Sequence, residues 1–239
     1  MLLQGVKEAR IPDILARAVR EGRSFLSLSE SLEVLRAYDL PVANYTVIRS
    51  LDDISAARKV GYPLVLKLDS PDIVHKTEFG GVKVGIQSPE ELRKSMEDML
   101  SRVRSASPNV RLTGFVVQEL VRNAHEVIIG GLNDAQFGPL IVFGLGGIFV
   151  EILKDVVFDL APVSVEEALE MIKKIKGYRL LEGYRGLEKA NFELLAETIS
   201  KASFMFSELS PYVEEMDLNP TFVSSSWVKI VDARFKLRT

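Results

Sequence analysis

The chain has 239 residues, 30 Lys and Arg against 33 Asp and Glu, a formal net charge of -3 and 47% hydrophobic residues. Near-balanced charge argues against a dedicated nucleic-acid binder. The absence of cysteine removes disulfides, thiolate zinc sites and cysteine nucleophiles together, and two histidines are too few for a His-rich metal site. No apolar run reaches the roughly 18 residues of a membrane span, so no membrane partner is expected. The start, MLLQGVKEAR, lacks the apolar centre of a signal peptide, so a cytoplasmic protein is expected.

Ile11, Ile14, Leu15, Ala18 and Val19 recur at helical spacing, and Gly22 follows as a stop. Ser27 and Glu30 have capping-box spacing before Leu28, Leu32 and Leu35. Strand-like runs are expected at 44–48, 63–68 and 82–86, with a short helix over 52–59. Ser88-Pro89-Glu90-Glu91 opens a helix expected to reach Val103: a cap, a proline in the first turn, then acids near the positive helix end. Further strands are expected at 114–120, 126–130, 140–143 and 148–153. A capping box at Ser164 and Glu167 precedes a helix, and a long amphipathic helix is expected over 187–209. Strands near 213–218 and 227–233 end the chain, joined as a hairpin through Thr221–Ser226. The alternation of helical and strand-like stretches favours an α/β or α+β fold. The polar stretch Ser105–Arg111 places a boundary near residue 110. The expected division is a helical segment over 1–25 and mixed α/β lobes over 26–110 and 111–239. Two such lobes suit a small-molecule ligand.

Four groups of residues carry possible chemistry. Lys67 lies within the apolar run Leu64–Leu68, on the strand face shared with Val65 and Asp69. A lysine there needs an anionic partner: Asp69, solvent at a sheet edge, or a ligand phosphate. His75-Lys76-Thr77-Glu78-Phe79-Gly80-Gly81-Val82 places two glycines before a strand. That is either a plain hairpin turn or a backbone that can approach a phosphate, with Lys76 and Thr77 adding a charge and a hydroxyl. His75, in the same loop, is either a surface residue or a nucleophile and phosphoryl acceptor; His125 reads as structural. Near the C-terminus Glu215, Asp217 and Asn219 share one strand face, and Asp232 on the last strand can face them. This is either the solvated side of a hairpin or a set of hard oxygen donors of the kind Mg²⁺ takes. Gly144–Gly147 reads as a close-packed turn because no helix follows it. Gln118-Glu119-Leu120-Val121 ends a strand at the inferred lobe boundary, where a hinge can offer backbone groups to a planar base. Glu151 and Asp155 receive no assignment.

The order of these features resembles the ATP-grasp layout. Four stretches carry that likeness: Gly61-Tyr62-Pro63-Leu64-Val65-Leu66-Lys67, Ser70-Pro71-Asp72-Ile73-Val74-His75-Lys76-Thr77-Glu78-Phe79-Gly80-Gly81-Val82, Phe137–Leu140 through Gly146–Glu151, and Glu215-Met216-Asp217-Leu218-Asn219-Pro220. On them, from about Ser27 to Arg238, the chain resembles the β chains of ADP-forming acetyl-CoA synthetases, within the nucleoside-diphosphate-forming acyl-CoA synthetases. It is more distantly similar to succinyl-CoA synthetase β chains. The resemblance implies two lobes gripping ATP or ADP, and the interconversion of acyl-CoA, ADP and phosphate with carboxylate, CoA and ATP. It implies Lys67 on the nucleotide phosphates, with Lys76, Thr77, Gly80, Gly81 and Val82 around them. Gln118, Glu119, Leu120 and Val121 become the adenine hinge and Glu126 a ribose contact. Asn219 and Asp232, with Asp217 nearby, would hold Mg²⁺. His75 falls where the family carries a β-chain histidine that relays a phosphoryl group, with His75 and Lys67 as the catalytic pair. A CoA-binding α chain is the implied partner, as an α2β2 assembly. The competing readings are an ATP-grasp carboxylate ligase with direct acyl-phosphate transfer, and a nucleotide-binding regulatory subunit without turnover.

Overall fold

The computed structural model describes residues 13–73, 76, 79–147, 155–183 and 188–238. The chain divides into two compact units: Phe25–Glu30 with Ala43–Leu120, and Met1–Ser24 and Ser31–Val42 with Val121–Thr239. The division falls after Leu120 rather than near residue 110, because the strand over 114–119 is paired into the sheet of the smaller unit. The expected helical segment over 1–25 is not a unit of its own, and residues 31–42 join the larger unit.

Residues 13–20 form helix α1, which ends at Gly22 in the left-handed region (φ 64°). Helix α2 (Leu28–Ala37) starts on the expected capping box. The Ser27 amide donates to Glu30 Oε2 at 2.9 Å, and the Glu30 amide donates to Ser27 Oγ at 3.4 Å.

The smaller unit is a four-stranded antiparallel sheet in the order β1-β4-β2-β3: β1 (Tyr45–Ile48), β2 (Leu64–Asp69), β3 (Val82–Ile86) and β4 (Gly114–Glu119). A 3₁₀ segment, Leu51–Lys59, stands where a short helix is expected. Helix α3 (Pro89–Ala106) is capped by Ser88, whose side chain accepts from the Glu91 amide. Leu92, Met96, Met99 and Val103 recur on its inner side and join Leu64, Leu66, Leu68, Phe115 and Val117 in one core cluster. Alternate residues of β2 and β4 therefore supply this core, and Val65, Lys67, Val116 and Gln118 lie on the other sheet face.

The larger unit is a six-stranded sheet. Its strands are β5 (His125–Asp134), β6 (Gly138–Leu145), β7 (Val156–Leu160), β8 (Val213–Val223), β9 (Val228–Ile230) and β10 (Arg234–Leu237). The order is β10-β8-β5-β6-β7, with β9 also on β8. Helices α4 (Val165–Lys174), α5 (Tyr178–Leu181) and α6 (Phe192–Leu209) belong to the same unit. Val127, Ile129, Met216 and Leu218 are buried on one sheet face, and α6 buries Leu195, Ile199, Ala202 and Phe206.

Four elements differ from expectation. The last long helix begins at Phe192 because Asn191 caps it, its side chain accepting from the Leu194 amide at 3.0 Å. Strand β8 continues through Pro220 to Val223, and the last expected strand is two short ones, β9 and β10. Strand β7 was not anticipated. It is a half-exposed edge strand whose Phe158 and Leu160 face outward, so its pattern lacks the alternation that marks a buried face. The strand expected at 148–153 lies outside the described residues. No helix among the described residues is long and apolar enough to cross a membrane.

Leu66 is fully buried at the centre of the smaller core. Leu66→Ala is expected to cost about 3 kcal/mol in urea unfolding, from lost transfer energy plus a residual cavity. A loss below about 1 kcal/mol would show that α3 closes onto the vacated space.

Candidate functional site

Within the smaller unit, Lys67 pairs with Val116 and Val65 with Gln118 across β2 and β4, so Lys67 and Gln118 are diagonal neighbours on one face. Lys67 is 6% exposed and Gln118 1%. The Gln118 Nε2 has no hydrogen-bond partner. A buried amide donor left without a partner carries its full desolvation cost, and such groups are rare in folded proteins.

Asp69, two residues beyond Lys67, is fully buried but well supplied with donors. Its carboxylate accepts from the Ser29 amide at 3.0 Å, the Ser29 hydroxyl at 2.5 Å and the Thr113 hydroxyl at 2.7 Å. Asp72 accepts a bidentate pair from Arg111, with Nη2 at 2.6 Å and Nε at 3.1 Å, and the Arg111 amide adds a third bond at 2.8 Å.

The chain re-enters the described structure at Lys76 and again at Phe79. The Gly81 amide donates to the Lys76 carbonyl at 2.7 Å, and the Gly81 carbonyl accepts from the Leu68 amide at 2.8 Å. Gly80 has φ 61°, and a Cβ there would lie 2.8 Å from Arg102 Nη1. The left-handed backbone favours glycine at this position, whereas the Arg102 guanidinium is the end of a flexible side chain that can move aside. The glycine pair thus lies against the end of β2, and Val82 begins β3 opposite Lys67. His75 and Thr77 lie outside the described residues.

At the end of β4, the Glu119 carboxylate accepts from the Asn44 amide at 2.7 Å and the Glu119 amide donates to the Asn44 carbonyl at 2.9 Å. The Glu119 side chain is thus engaged with β1's approach. Leu120 ends the smaller unit and Val121 begins the larger.

In the larger unit, Glu126 is half-buried on the face of β5 opposite Val127 and Ile129. Its backbone carbonyl accepts from the Gly146 amide at 2.8 Å, and a Cβ on Gly146 would lie 2.6 Å from Glu126 Cγ. The expected turn over Gly144–Gly147 is only partly one: Gly144 and Leu145 end β6, paired with β5 and β7, and it is Gly146 and Gly147 that pack closely on Glu126.

The acidic row is shaped by a β-bulge. Val127 pairs with Thr221 and Ile129 with Leu218, so the single residue Ile128 on β5 faces two, Asn219 and Pro220, on β8. The extra residue inverts the alternation: Met216 and Leu218 are buried before it, Thr221 and Val223 after it. The Thr221 hydroxyl donates to the Leu218 carbonyl at 3.0 Å across the bulge. Along the opposite side of β8, Thr221 pairs with Ile230 and Asp217 with Arg234, the same offset on either side of residues 231–233, which lie between β9 and β10. Asp232 therefore falls opposite Asn219, and the Val231 amide donates to the Pro220 carbonyl at 3.2 Å. The bulge leaves Asn219 exposed beside Asp217 and Asp232. Among the described residues no group of three or more His, Asp or Glu side chains is arranged to hold a metal ion. The row offers two carboxylates and one amide.

Two cationic partners were not anticipated. Arg234 Nη2 lies 3.5 Å from the Asp217 carboxylate, and Lys236 reaches Glu214 at 3.1 Å and Glu215 at 2.9 Å. The bulge itself had a signal, a proline inside a strand pattern. His125 is structural: it is buried, and its Nε2 donates to the Glu188 carbonyl at 2.7 Å. Asp155 accepts from the Lys176 and Gly177 amides at 2.8 and 2.6 Å and fixes the entry to α5.

Partial burial pushes the Asp217 carboxyl above its ordinary pKa, the Asp232 and Glu215 carboxylates push it further, and Arg234 opposes them. A carboxyl with a raised native pKa loses stability on ionising, so its destabilisation grows as pH rises from the unfolded to the native value. Asp217→Asn is expected to match or exceed the wild-type unfolding midpoint at pH 7. The difference should vanish as pH falls below the carboxylate range. A variant less stable at pH 7 than at pH 3, relative to wild type, would contradict this.

An ATP-grasp domain model matches residues 17–237. The chain is 40% identical over 230 residues to the β subunit of acetate–CoA ligase (ADP-forming) I of Pyrococcus furiosus, covering 96% of this chain and 98% of that one. A structure of acetyl-coenzyme A synthetase 1 from Candidatus Korarchaeum cryptofilum, in complex with coenzyme A and Ca-AMPCP, superimposes with a TM-score of 0.90 at 40% identity, over 95% of this chain and 99% of that one. Another structure of that protein, with coenzyme A and Mg-AMPPCP, has its phosphohistidine segment pointing towards the nucleotide-binding site; it gives a TM-score of 0.83 at 38% identity, over 95% of this chain and 100% of that one. The chain belongs to the ATP-grasp family, among the β subunits of ADP-forming acetate–CoA ligases.

Proposed function

We propose that this chain is the nucleotide-handling β subunit of a cytoplasmic ADP-forming acetyl-CoA synthetase. It interconverts acyl-CoA, ADP and phosphate with carboxylate, CoA and ATP. The observation that carries this reading is the pairing, on one face of the smaller sheet, of the buried Lys67 with the unpartnered Gln118 amide. A buried cation and a buried donor side by side suit an anionic, heteroaromatic ligand.

In this reading Lys67 neutralises the nucleotide phosphates and the Gly80–Gly81 backbone covers them, with Lys76, Thr77 and Val82 alongside. Gln118 and the hinge to Val121 receive the adenine, through side-chain amide and backbone, and Glu126 the ribose. Asn219 and Asp232, with Asp217, hold Mg²⁺. The donor set fits, because Mg²⁺ takes one or two carboxylates and fills its remaining positions with water and phosphate oxygens. When bound, the ion neutralises charge on the transferring phosphoryl group. Arg234 competes with the ion for Asp217, so Asn219 and Asp232 are the primary donors.

His75 is the phosphoryl acceptor. Its neutral imidazole nitrogen donates a lone pair to the γ-phosphorus of ATP. A nitrogen–phosphorus bond forms, and the bond to the bridging oxygen breaks with its electron pair leaving on ADP. The phosphoryl group then passes to a partner α chain that binds CoA, in an α2β2 assembly. Such a transfer depends on positioning and charge neutralisation more than on covalent protein chemistry. A relay suits an acyl site and a nucleotide site that lie on different chains.

The test is labelling by γ-labelled Mg-ATP in the presence of the α partner. Wild type is expected to take acid-labile label on this chain and His75→Ala none. Lys67→Ala is expected to weaken ADP binding by about 10- to 100-fold, the range of one lost charge-assisted hydrogen bond. Nucleotide binding without label in wild type would overturn the relay in favour of direct transfer or a regulatory role.

A further inference from the structure

The route from β2 to His75 is fastened at its root. Asp69 and Asp72 both hold the same three-residue stretch, Arg111–Thr113, just before β4. Asp69 takes the Thr113 hydroxyl on its carboxylate and the Thr113 amide on its carbonyl, at 2.7 and 3.0 Å. Asp72 takes the guanidinium and the amide of Arg111. Between them the Asp72 amide donates to Ser70 Oγ at 3.1 Å. Ile73, the next residue, is 3% exposed and sits in the core cluster of the smaller unit. Two carboxylates and one core residue therefore fix the chain two positions before His75. The pair has the bidentate fork geometry that sets orientation as well as distance.

The two anchors differ in what they cost to remove. Asp69 is fully buried, and its loss would leave the Ser29 amide without its acceptor. The Asp72–Arg111 pair is exposed, with side chains 26% and 49% accessible. Exposed pairs contribute little to global stability even when their geometry is good. A well-formed fork at such a place is better explained by what it positions than by what it stabilises.

We propose that Arg111 and Asp72 are positioning residues for phosphoryl transfer. They fix the point from which the backbone reaches His75, and so set how often the imidazole nitrogen meets the γ-phosphorus in line. They take no part in holding the nucleotide, which falls to Lys67 and the hinge. This rests on the histidine reading above. A small displacement of a reacting group costs rate out of proportion to its size, so the effect belongs in the transfer step and not in affinity.

The test uses the full chain co-purified with its α partner, without acyl substrate or CoA, with γ-labelled Mg-ATP in single-turnover labelling and with ADP affinity measured separately. Arg111→Ala is expected to slow labelling at least tenfold, leaving the ADP dissociation constant within twofold and the thermal midpoint near wild type. Arg111→Lys, which keeps the charge but not the fork, is expected to recover part of the rate. Labelling of Arg111→Ala at the wild-type rate would overturn the proposal. So would a loss of rate matched by an equal loss of ADP affinity or by unfolding. Label persisting on His75→Ala would overturn the histidine reading and this proposal with it.

Discussion

A lysine on a strand whose six residues are all buried is the constraint around which the smaller unit is organised. Strand β2 sits between β3 and β4, so its backbone is paired on both sides and its side chains cannot turn away to solvent. One face has a simple solution: Leu64, Leu66 and Leu68 pack on α3. The other face must accommodate Lys67 and Asp69. Asp69 is satisfied from the first turn of α2 and from Thr113, a set of neutral donors at the positive end of a helix dipole. Lys67 is left facing the same side as Gln118. The polar face is thus assembled by β-pairing, not by the local sequence of any one strand.

The larger unit meets a different demand, which is to present several oxygen donors on one edge of a sheet whose other face is core. Regular alternation would carry Thr221 and Val223 onto the same side as Asp217. The bulge at Asn219 and Pro220 prevents this and returns the chain to the core within one residue. It also lifts Asn219 out of the β5 ladder, where its amide is exposed next to two carboxylates. Arg234 and Lys236, on the neighbouring strand, offset part of the repulsion that such a row creates.

Features held by neighbours in the chain were legible from the sequence. The capping boxes at Ser27/Glu30 and Ser164/Glu167 close within four residues, and both form as read. The placing of Lys67 on the non-core face of β2 follows from alternation alone. What depends on register was not legible. That Asp232 can face the acidic row follows from the expected hairpin, but its particular partner, Asn219, and the pairing of Arg234 with Asp217 depend on the exact register of β8 with the strands that follow it. The anchoring of Asp69 and Asp72 by Arg111–Thr113 is equally remote, joining residues that the chain separates by some forty positions. Strand β7 escaped because an edge strand with outward Phe158 and Leu160 has no buried face to print a period on its sequence.

The bulge has a consequence for how this protein can change over evolutionary time. Thr221 and Val223 are bound to the core on one side of it, and Met216 and Leu218 on the other. Losing one residue between them would rotate one of these sets out of the core or the acidic row into it. Gaining one would do the same. Residue identity along β8 can drift wherever size and polarity are kept, but the count from Asp217 to Ile230 cannot. In this stretch, length is the inherited trait, and insertions should collect instead in loops such as the one joining β5 to β6, where the Asp134 carboxylate accepts from the Gln136 and Phe137 amides.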